Sequence, residues 1–502
     1  MMRINGPKRW YPRSVSSVAE GAVRGAAWNV ATTVVTRLAG LVGTLLITRF
    51  VAPQDLGEVA AASVCVLTAM MFTQLRYGNY LIAKNATPDE AFNANVVHIA
   101  LGFVAVGVVV ALRDHLGHFF GSPNMGKYVP GFALAALIER VSYIPERTLI
   151  RDLKFRPLSI ARSFGELAYT AVSLAAAPFI GGMGIVVGNL ARAVILTVMT
   201  MRAANWKEYG PRRPLRWSTI REMTLYCAPG AISGLCELAA YKWDNLLVSR
   251  YFGPRQHGMY NLAYNLADTP TGAVGEQVAD VLFPSFAKLE PERREPALKR
   301  ATGLMGLVIF PLAVGLGAIS ATVVSVFFDA RWREVAPMLA ILSVLSVART
   351  MASPLVAFMQ AQHRRRPLMI LSVAKVGILL ACIMVFAPYG PLWTCVGVGA
   401  TFILDTFLCL LIVQVLDGVK MLSLLGAVVP VVIASAAMAA GVYGTRIGLA
   451  AVGIGPSWPS LILEVIAGSV VYVGAAFVVA RPLAMDLVTQ VKNVIRRRRG
   501  QE

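Results

Sequence analysis

The sequence predicts an all-α protein that crosses a membrane about fourteen times. The chain is 56% apolar and only 15% charged, well below the ~25% charged residues of soluble domains. Fourteen apolar stretches each have about the 20 residues that a helix needs to cross a ~30 Å hydrocarbon layer. Most of the 47 Lys and Arg residues lie in the terminal segments and in alternate gaps between these stretches. Because basic residues mark cytoplasmic loops, this alternation predicts an even number of spans and places both ends of the chain in the cytoplasm.

The predicted spans follow one another along the whole chain with short connections. They lie at 25–50, 56–82, 92–112, 127–149, 158–178, 180–201, 223–249, 258–285, 303–328, 335–360, 367–388, 391–415, 422–445 and 460–480. We expect a cytoplasmic segment (1–24), an N-lobe of spans one to six (25–201) and a cytoplasmic linker (202–222). A C-lobe of spans seven to twelve (223–415), spans thirteen and fourteen (416–481) and a basic cytoplasmic tail (482–502) follow.

Charge and motif content exclude several classes of protein. The net charge of +20 is concentrated in runs at inner span ends, such as Arg364 to Arg366 and Arg496 to Arg499, where lipid headgroups rather than nucleic acid are the expected anionic partner. No phosphate-binding glycine loop, zinc-protease motif or serine-hydrolase motif occurs. The six cysteines lie within or at the ends of spans and have no metal-ligand spacing. We therefore expect a non-enzyme without a cofactor, and no cleaved signal peptide at the start of the chain.

An internal repeat divides the chain into two copies of a six-span unit. The segment 45–57 (LLITRFVAPQDLG) matches 246–258 (LLVSRYFGPRQHG) at an offset of 201 residues. Arg140 followed by Pro145 in span four is matched by Arg349 followed by Pro354 in span ten. Because six is even, both units enter the membrane in the same sense. We therefore predict two six-helix lobes related by a pseudo-two-fold axis along the membrane normal, with two extra C-terminal helices.

Ionisable side chains at membrane depth are costly and usually mark a water-filled cavity or an ion pair. Four cations near the middle of spans are the candidates for a substrate-binding cavity: Arg37, Arg140, Lys242 and Arg349. Four acids, Glu139, Asp244, Asp268 and Asp405, are candidates for ion coupling. Salt bridges inside each lobe are the alternative role for these cations. Three further cations, Arg76, Arg162 and Lys375, lie close enough to inner loops to extend toward the lipid headgroups, and Arg162 also has Glu166 one turn away.

Six short motifs stand out along the chain: Arg37 to Gly40, Thr48 to Gly57, Arg151 to Arg156, Trp243 to Leu247, Phe283-Pro284 and Arg331-Trp332. These motifs resemble those of Wzx-type polysaccharide flippases, in the lipopolysaccharide and exopolysaccharide branch of the multidrug/oligosaccharidyl-lipid/polysaccharide exporter superfamily. The resemblance covers about residues 20–420.

The resemblance implies a bacterial inner-membrane protein that moves an undecaprenyl-pyrophosphate-linked oligosaccharide outward by alternating access through a cationic cavity. It leaves a polysaccharide polymerase and a chain-length regulator as possible partners. Three alternatives stay open: a multidrug or cation antiporter of the same superfamily, a flippase for the peptidoglycan precursor lipid II, and a non-transporting scaffold of polysaccharide assembly. The sequence does not choose between the membrane potential and a coupling ion.

Overall fold

A computed structural model describes residues 40, 43–84, 86–152, 154–205, 213–287 and 289–499 of the chain. These residues are almost entirely helical and contain no strand, as predicted. Of predicted span one, residues 43–47 are helical, whereas Arg37 lies outside the described residues.

The helices follow the predicted spans closely. They are α1 (Pro53–Phe72), α2 (Tyr77–Ala83), α3 (Pro88–Ala111), α4 (Arg113–Phe119), α5 (Val129–Arg151), α6 (Phe155–Ile180), α7 (Met183–Ala203), α8 (Trp217–Ala287), α9 (Pro291–Phe327), α10 (Val335–Ala361), α11 (Arg365–Phe386), α12 (Pro391–Asp417), α13 (Met421–Ala451), α14 (Trp458–Val479) and α15 (Arg481–Arg499). Several begin with proline in the first turn, where its missing N–H costs no helical hydrogen bond.

Ten of the described helical segments are long and apolar enough to cross a membrane, so the protein is a multi-pass membrane protein. The count of fourteen spans stays a prediction. Predicted spans four, seven and eight are helical but are not among the ten. They carry several of the charges singled out above, including Arg140, Lys242 and Asp268.

Predicted span two was wrong as a single helix. Helix α1 ends at Phe72, and α2 begins only at Tyr77. Between them Arg76 adopts a left-handed backbone conformation (φ 52°, ψ 35°), which is uncommon for a residue other than glycine. The break therefore divides the span into two helical pieces inside the protein.

One loop prediction also needs correction. Helix α9 begins at Pro291, twelve residues before the predicted start of span nine at 303, so most of the predicted loop is helical. The predicted tail forms helix α15, which packs on α9 through Leu483 and Leu487. An ion pair joins Arg300 on α9 to Asp486 on α15, with a shortest distance of 2.6 Å. The first turns of α9 and the whole of α15 have an amphipathic side-chain pattern, which favours helices that pack one face against the protein.

The two copies of the repeated segment pack against each other reciprocally. A Cβ atom added to Gly57 would overlap the carbonyl of Pro254, and one added to Gly258 would overlap the carbonyl of Pro53. Gly57 and Gly258 are repeat mates, as are Pro53 and Pro254. Reciprocal contacts of this kind are the mark of a two-fold relation. We call this contact the seam. The exact lobe boundaries, 25–201 and 223–415, stay a prediction.

Helix α8 spans both predicted spans seven and eight and bends at the seam. Its backbone leaves the helical conformation at Gly253 (φ 77°, ψ 175°), a positive φ that glycine tolerates because it has no Cβ. The bend at Gly253 falls between the two predicted spans that α8 contains. Helix α10 lies at the centre of the C-terminal half, where residues such as Met338 and Leu342 join a core formed with α8, α9, α11 and α12.

Candidate functional site

A cavity of about 990 Å³ opens between the broken second span and the helices of the C-terminal half. Its walls come from the α1–α2 break, the first half of α8, α10, α11 and α12. Along α10 the lining runs from Arg349 to Gln360, which is about 16 Å at the helical rise. The cavity therefore extends from the middle of α10 to the end of that helix that lies away from the seam.

Arg349 lies at the deep end of this cavity in a cage of aromatic rings. Its guanidinium carbon is 5.2 Å from the ring centre of Tyr241, 5.5 Å from that of Tyr264 and 5.3 Å from that of Phe402. It donates a hydrogen bond of 2.7 Å to the hydroxyl of Tyr264 and forms an ion pair with Asp268. Cation–π contacts at this distance are stabilising when the cation is desolvated. The cage holds the guanidinium in one place at the cavity wall.

Two further ion pairs line the same cavity. The Lys375 ammonium lies 2.6 Å from the carboxylate of Asp405, and both side chains are largely buried. The Arg76 guanidinium lies 3.7 Å from the carboxylate of Glu237, whose side chain is exposed. We expected Arg76 and Lys375 to extend toward the headgroups, and the structure places both in the cavity wall instead.

The charge of the cavity wall is basic overall. The charged lining residues are four cations (Arg76, Arg349, Arg366 and Lys375) and two acids (Glu237 and Asp405). Tyr226, Tyr241 and several small residues complete the wall. Among described residues, no group of three or more acidic, histidine or cysteine side chains has the arrangement of a metal site. The surface is thus suited to an anion whose other parts contact aromatic rings.

Arg140 does not line this cavity, although its repeat mate Arg349 does. It is buried within the N-terminal half and donates hydrogen bonds to the carbonyls of Met70 (2.5 Å), His98 (3.1 Å) and Thr73 (3.4 Å). A further bond of 2.5 Å reaches the Thr73 hydroxyl. These contacts favour a structural role over direct contact with a substrate.

Lys242 and three of the candidate acids lie outside the cavity lining. Lys242 is half-buried. Asp244 is fully enclosed and accepts hydrogen bonds from the Tyr260 hydroxyl (2.5 Å) and the Asn245 amide (3.0 Å). Asp268 is not among the lining residues, but it pairs with Arg349, which is.

Glu139, the remaining acid, belongs to a triad inside the N-terminal half. It lies 3.2 Å from Arg192, which also lies 3.2 Å from Glu166. Of the two roles that the sequence left open for Arg162, pairing with Glu166 is not the one seen, because Arg162 is exposed and contacts Glu146 at 2.5 Å. Glu139 therefore pairs inside its lobe with Arg192 and not with one of the four candidate cations, whereas the candidate Arg349 forms an intralobe ion pair with Asp268.

The side of the protein opposite the cavity is closed by contacts between the two halves. Besides the glycine crossing of the seam, the Trp332 indole donates a hydrogen bond of 3.2 Å to the carbonyl of Thr48. Arg331 donates another of 3.2 Å to the carbonyl of Arg49, and Asp329 holds the Arg331 side chain in place. The hydrogen bond from Arg331 lowers the pKa of Asp329, so the pair is charged at neutral pH. The arrangement is a central cavity that is closed toward the seam.

Residues 46–337, more than half of the chain, match the sequence model of a family described as "Polysaccharide biosynthesis protein". The lipopolysaccharide biosynthesis protein WzxC of Escherichia coli (strain K12) is 22% identical over 69% of this chain and 71% of its own length. The succinoglycan biosynthesis transport protein ExoT of Rhizobium meliloti (strain 1021) is 22% identical, over 68% of this chain and 69% of its own. The teichuronic acid biosynthesis protein TuaB of Bacillus subtilis (strain 168) is 23% identical over 67% of this chain and 71% of its own length.

Solved structures share the fold. The lipid II flippase MurJ in an inward closed conformation superposes with a TM-score of 0.72 at 14% identity and covers 91% of this chain and 99% of its own. An inward-facing multidrug resistance MATE transporter of the MOP superfamily superposes with a TM-score of 0.62 at 12% identity and covers 76% of this chain and 98% of its own. The family resemblance that the loop motifs predicted is confirmed by the match over residues 46–337. The chain is a member of the polysaccharide biosynthesis protein family.

Proposed function

We propose that this protein is a flippase that moves undecaprenyl-pyrophosphate-linked oligosaccharide from the cytoplasmic to the periplasmic leaflet of the inner membrane. The oligosaccharide is a building block of a surface polysaccharide. The observation that carries the proposal is the basic cavity at mid-membrane, closed on one side by the seam. Membership of a polysaccharide biosynthesis family supports the class of cargo, and names such as succinoglycan biosynthesis transport protein among its relatives support transport.

The cavity suits the charged end of such a lipid. A pyrophosphate carries about two negative charges, and arginine binds phosphate oxygens through paired N–H donors. Arg349, Arg76 and Lys375 are the proposed phosphate-binding residues because they line the cavity. Tyr241 has its ring exposed beside two of these cations and offers a flat surface to a sugar. Arg37 remains a proposed cavity cation from sequence alone.

The orientation follows from the distribution of basic residues. Basic loops, including Arg364 to Arg366, lie at the cavity end of the chain's helices, so we assign the cavity opening to the cytoplasm and the seam to the periplasm. In this state a substrate enters from the cytoplasmic leaflet. Separation of the seam and closure of the cytoplasmic side would expose the same residues to the periplasm, which is alternating access between the two lobes.

The membrane potential favours the proposed direction. Moving one negative charge outward across an inside-negative membrane gains about 2.3 kcal/mol per 100 mV. A headgroup with about two charges therefore gains about 4–5 kcal/mol at 100 mV. The acids Asp268, Asp405, Asp244 and Glu139 remain candidates for an additional proton or sodium step.

One other cargo has a specific observation in its favour. The fold superposes well on a lipid II flippase, and lipid II also carries a pyrophosphate. A multidrug or cation antiporter is disfavoured because a cationic substrate would meet a wall with more basic than acidic groups. A polysaccharide polymerase and a chain-length regulator are the partners we propose for the polysaccharide pathway.

The experiment that tests the function is lipid analysis of a deletion strain. We expect undecaprenyl-linked oligosaccharide to accumulate and surface polysaccharide to disappear, with both reversed by the intact chain. Arg349→Gln should fail to reverse them while inserting normally in the membrane. Arg255→Gln, which removes an exposed pair with Glu334 on the seam side, is the matched control and should restore export.

Two outcomes would contradict the proposal. Accumulation of lipid II with normal surface polysaccharide would assign the peptidoglycan precursor as the cargo. Normal polysaccharide with increased sensitivity to cationic dyes would assign drug export.

A further inference from the structure

Arg140 is a buried cation whose guanidinium donates hydrogen bonds to backbone carbonyls. Its side chain is only 5% exposed, and its guanidinium contacts the carbonyls of Met70, Thr73 and His98, the hydroxyl of Thr73 and a ring nitrogen of His98. No carboxylate of the described residues lies within ion-pair distance of it. A guanidinium in this setting acts as a multiple hydrogen-bond donor.

Two of the three carbonyls that Arg140 binds, those of Met70 and Thr73, belong to the end of helix α1, and the third, that of His98, lies within α3. The last four carbonyls of any helix lack partners within the helix and need an external donor when they are buried. Met70 lies in the last turn of α1, and Thr73 is the residue that caps it. Arg140 thus supplies donors to a helix end that lies inside the protein, which makes it possible for the second span to stop there.

The break that follows directs Arg76 toward the other half of the molecule. Arg76 has a left-handed backbone, and its carbonyl lies 3.6 Å from the thiol sulfur of Cys227 on α8. Its guanidinium packs against Gly234, where an added Cβ would overlap it, and lies beside Glu237. If α1 continued as a regular helix, residue 76 would lose this backbone conformation and its side chain would leave the cavity wall.

We propose that Arg140 is a positioning residue that holds the break in the second span, so that Arg76 reaches the cavity and binds the phosphate of the substrate. This inference rests on the proposed function. It gives the two repeat mates different tasks, because Arg349 contacts the cavity directly and Arg140 acts through Arg76. Without substrate, the Glu237 carboxylate pairs with the Arg76 guanidinium, and the phosphate of the substrate takes the place of Glu237.

The test is a double-mutant cycle on the full-length protein in lipid nanodiscs, with undecaprenyl pyrophosphate as the probe. Arg76→Gln and Arg140→Gln should each weaken binding about 10- to 100-fold, the range for loss of one charged hydrogen-bonded contact. Because both act on the same contact, the double variant should bind no more weakly than Arg76→Gln alone. Arg162→Gln, which removes an exposed cation of the N-terminal half, should leave binding unchanged.

A milder variant keeps the test decisive if Arg140→Gln does not fold. Thr73→Val removes one acceptor of Arg140, together with the 3.0 Å bond that the Thr73 hydroxyl donates to the Met70 carbonyl, and leaves both arginines in place. It should weaken binding about 3- to 10-fold, the loss expected for one hydrogen bond. The effect should vanish in the Arg76→Gln background, and Arg140→Lys should retain part of the wild-type affinity.

The outcomes separate the two proposals. The positioning role would be overturned if the losses of binding free energy in the two single variants added up in the double variant, or if Arg76→Gln kept the wild-type affinity. In either case binding by the wild-type protein would still support the flippase proposal. If the wild-type protein does not bind undecaprenyl pyrophosphate, the proposed function fails and the positioning role fails with it.

Discussion

Replacing His257 by leucine should stabilise the protein and flatten its response to acid. His257 lies in the connection between the two predicted spans of α8, at the seam, and is fully buried. Neither ring nitrogen makes a hydrogen bond of ordinary geometry among the described residues, although the Gly57 backbone lies near enough to interact weakly with the ring. Its repeat mate is Leu56, which packs against the cores of both halves. Leucine is therefore the side chain that the other copy of the motif already accommodates.

The size of the effect follows from the unpaired ring. A buried polar group without a partner costs about 1–3 kcal/mol, which the leucine variant should recover in part at neutral pH. Burial lowers the pKa of His257 to about 3, against a smaller opposing effect of the Gly57 backbone. An unfolded histidine has a pKa of about 6.5. The folded state therefore loses stability as the pH falls below about 6.5, by about 2 kcal/mol between pH 8 and pH 5.

The assay is the thermal unfolding of detergent-purified protein at pH 8 and pH 5, at one scan rate. The melting temperature of the wild type should fall by about 2 °C more than that of His257→Leu over this interval, at about 1 °C per kcal/mol for a chain of this length. His363→Asn is the control because His363 is exposed. Equal acid sensitivity of the wild type and the leucine variant would refute the reasoning, since His257 would then be protonated or hydrated in the folded state.

Two further perturbations test the packing of the helices. Gly57→Ala should destabilise the protein by about 1–3 kcal/mol or more and reduce export, because the new methyl group meets the Pro254 backbone. Gly107→Ala, which meets nothing within 4 Å, should behave as wild type in the same melting and complementation assays, and equal melting of the two variants would contradict the close seam. Arg446→Met should cost about 3–5 kcal/mol, because it leaves the buried Glu464 carboxylate without its partner at 3.1 Å. Adding Glu464→Gln should recover much of that loss in a thermal melt, and no recovery would show that the pair is not coupled.

The sequence predicts the helices well because hydropathy and charge act locally. Nearly all the predicted spans that fall among the described residues coincide with helices, and the repeat of segments 45–57 and 246–258 appears in space as the reciprocal seam. The break at residues 73–76 is harder to predict, since residues 56–82 are apolar enough to read as one span. The only local sign is the polar stretch that includes Gln74, Arg76 and Asn79.

The cavity is less predictable because its members come from five separate helices. Position within the predicted span made both Arg349 and Arg140 candidates for the cavity wall. The sequence does not separate them, since both occupy the middle of a span and precede a proline by five residues. What separates them is their partners: carbonyls at a helix end for Arg140, and aromatic rings with a carboxylate for Arg349. Lys375 was assigned to the headgroups because its distance from an inner loop was known and the position of Asp405 on another helix was not.

The pairing of the cavity cations explains how a basic site can exist inside a membrane. A desolvated cation without a partner is costly, and here Arg349, Lys375 and Arg76 each lie beside a carboxylate. If the cargo is the proposed pyrophosphate lipid, its phosphates have to displace these carboxylates, so the loss of the existing ion pairs offsets part of the Coulomb attraction between phosphate and cation. The Glu237 side chain is the most exposed of the three partners and therefore the least costly to release into water. Exchange should begin at Arg76, at the rim of the cavity, and proceed inward to the caged Arg349.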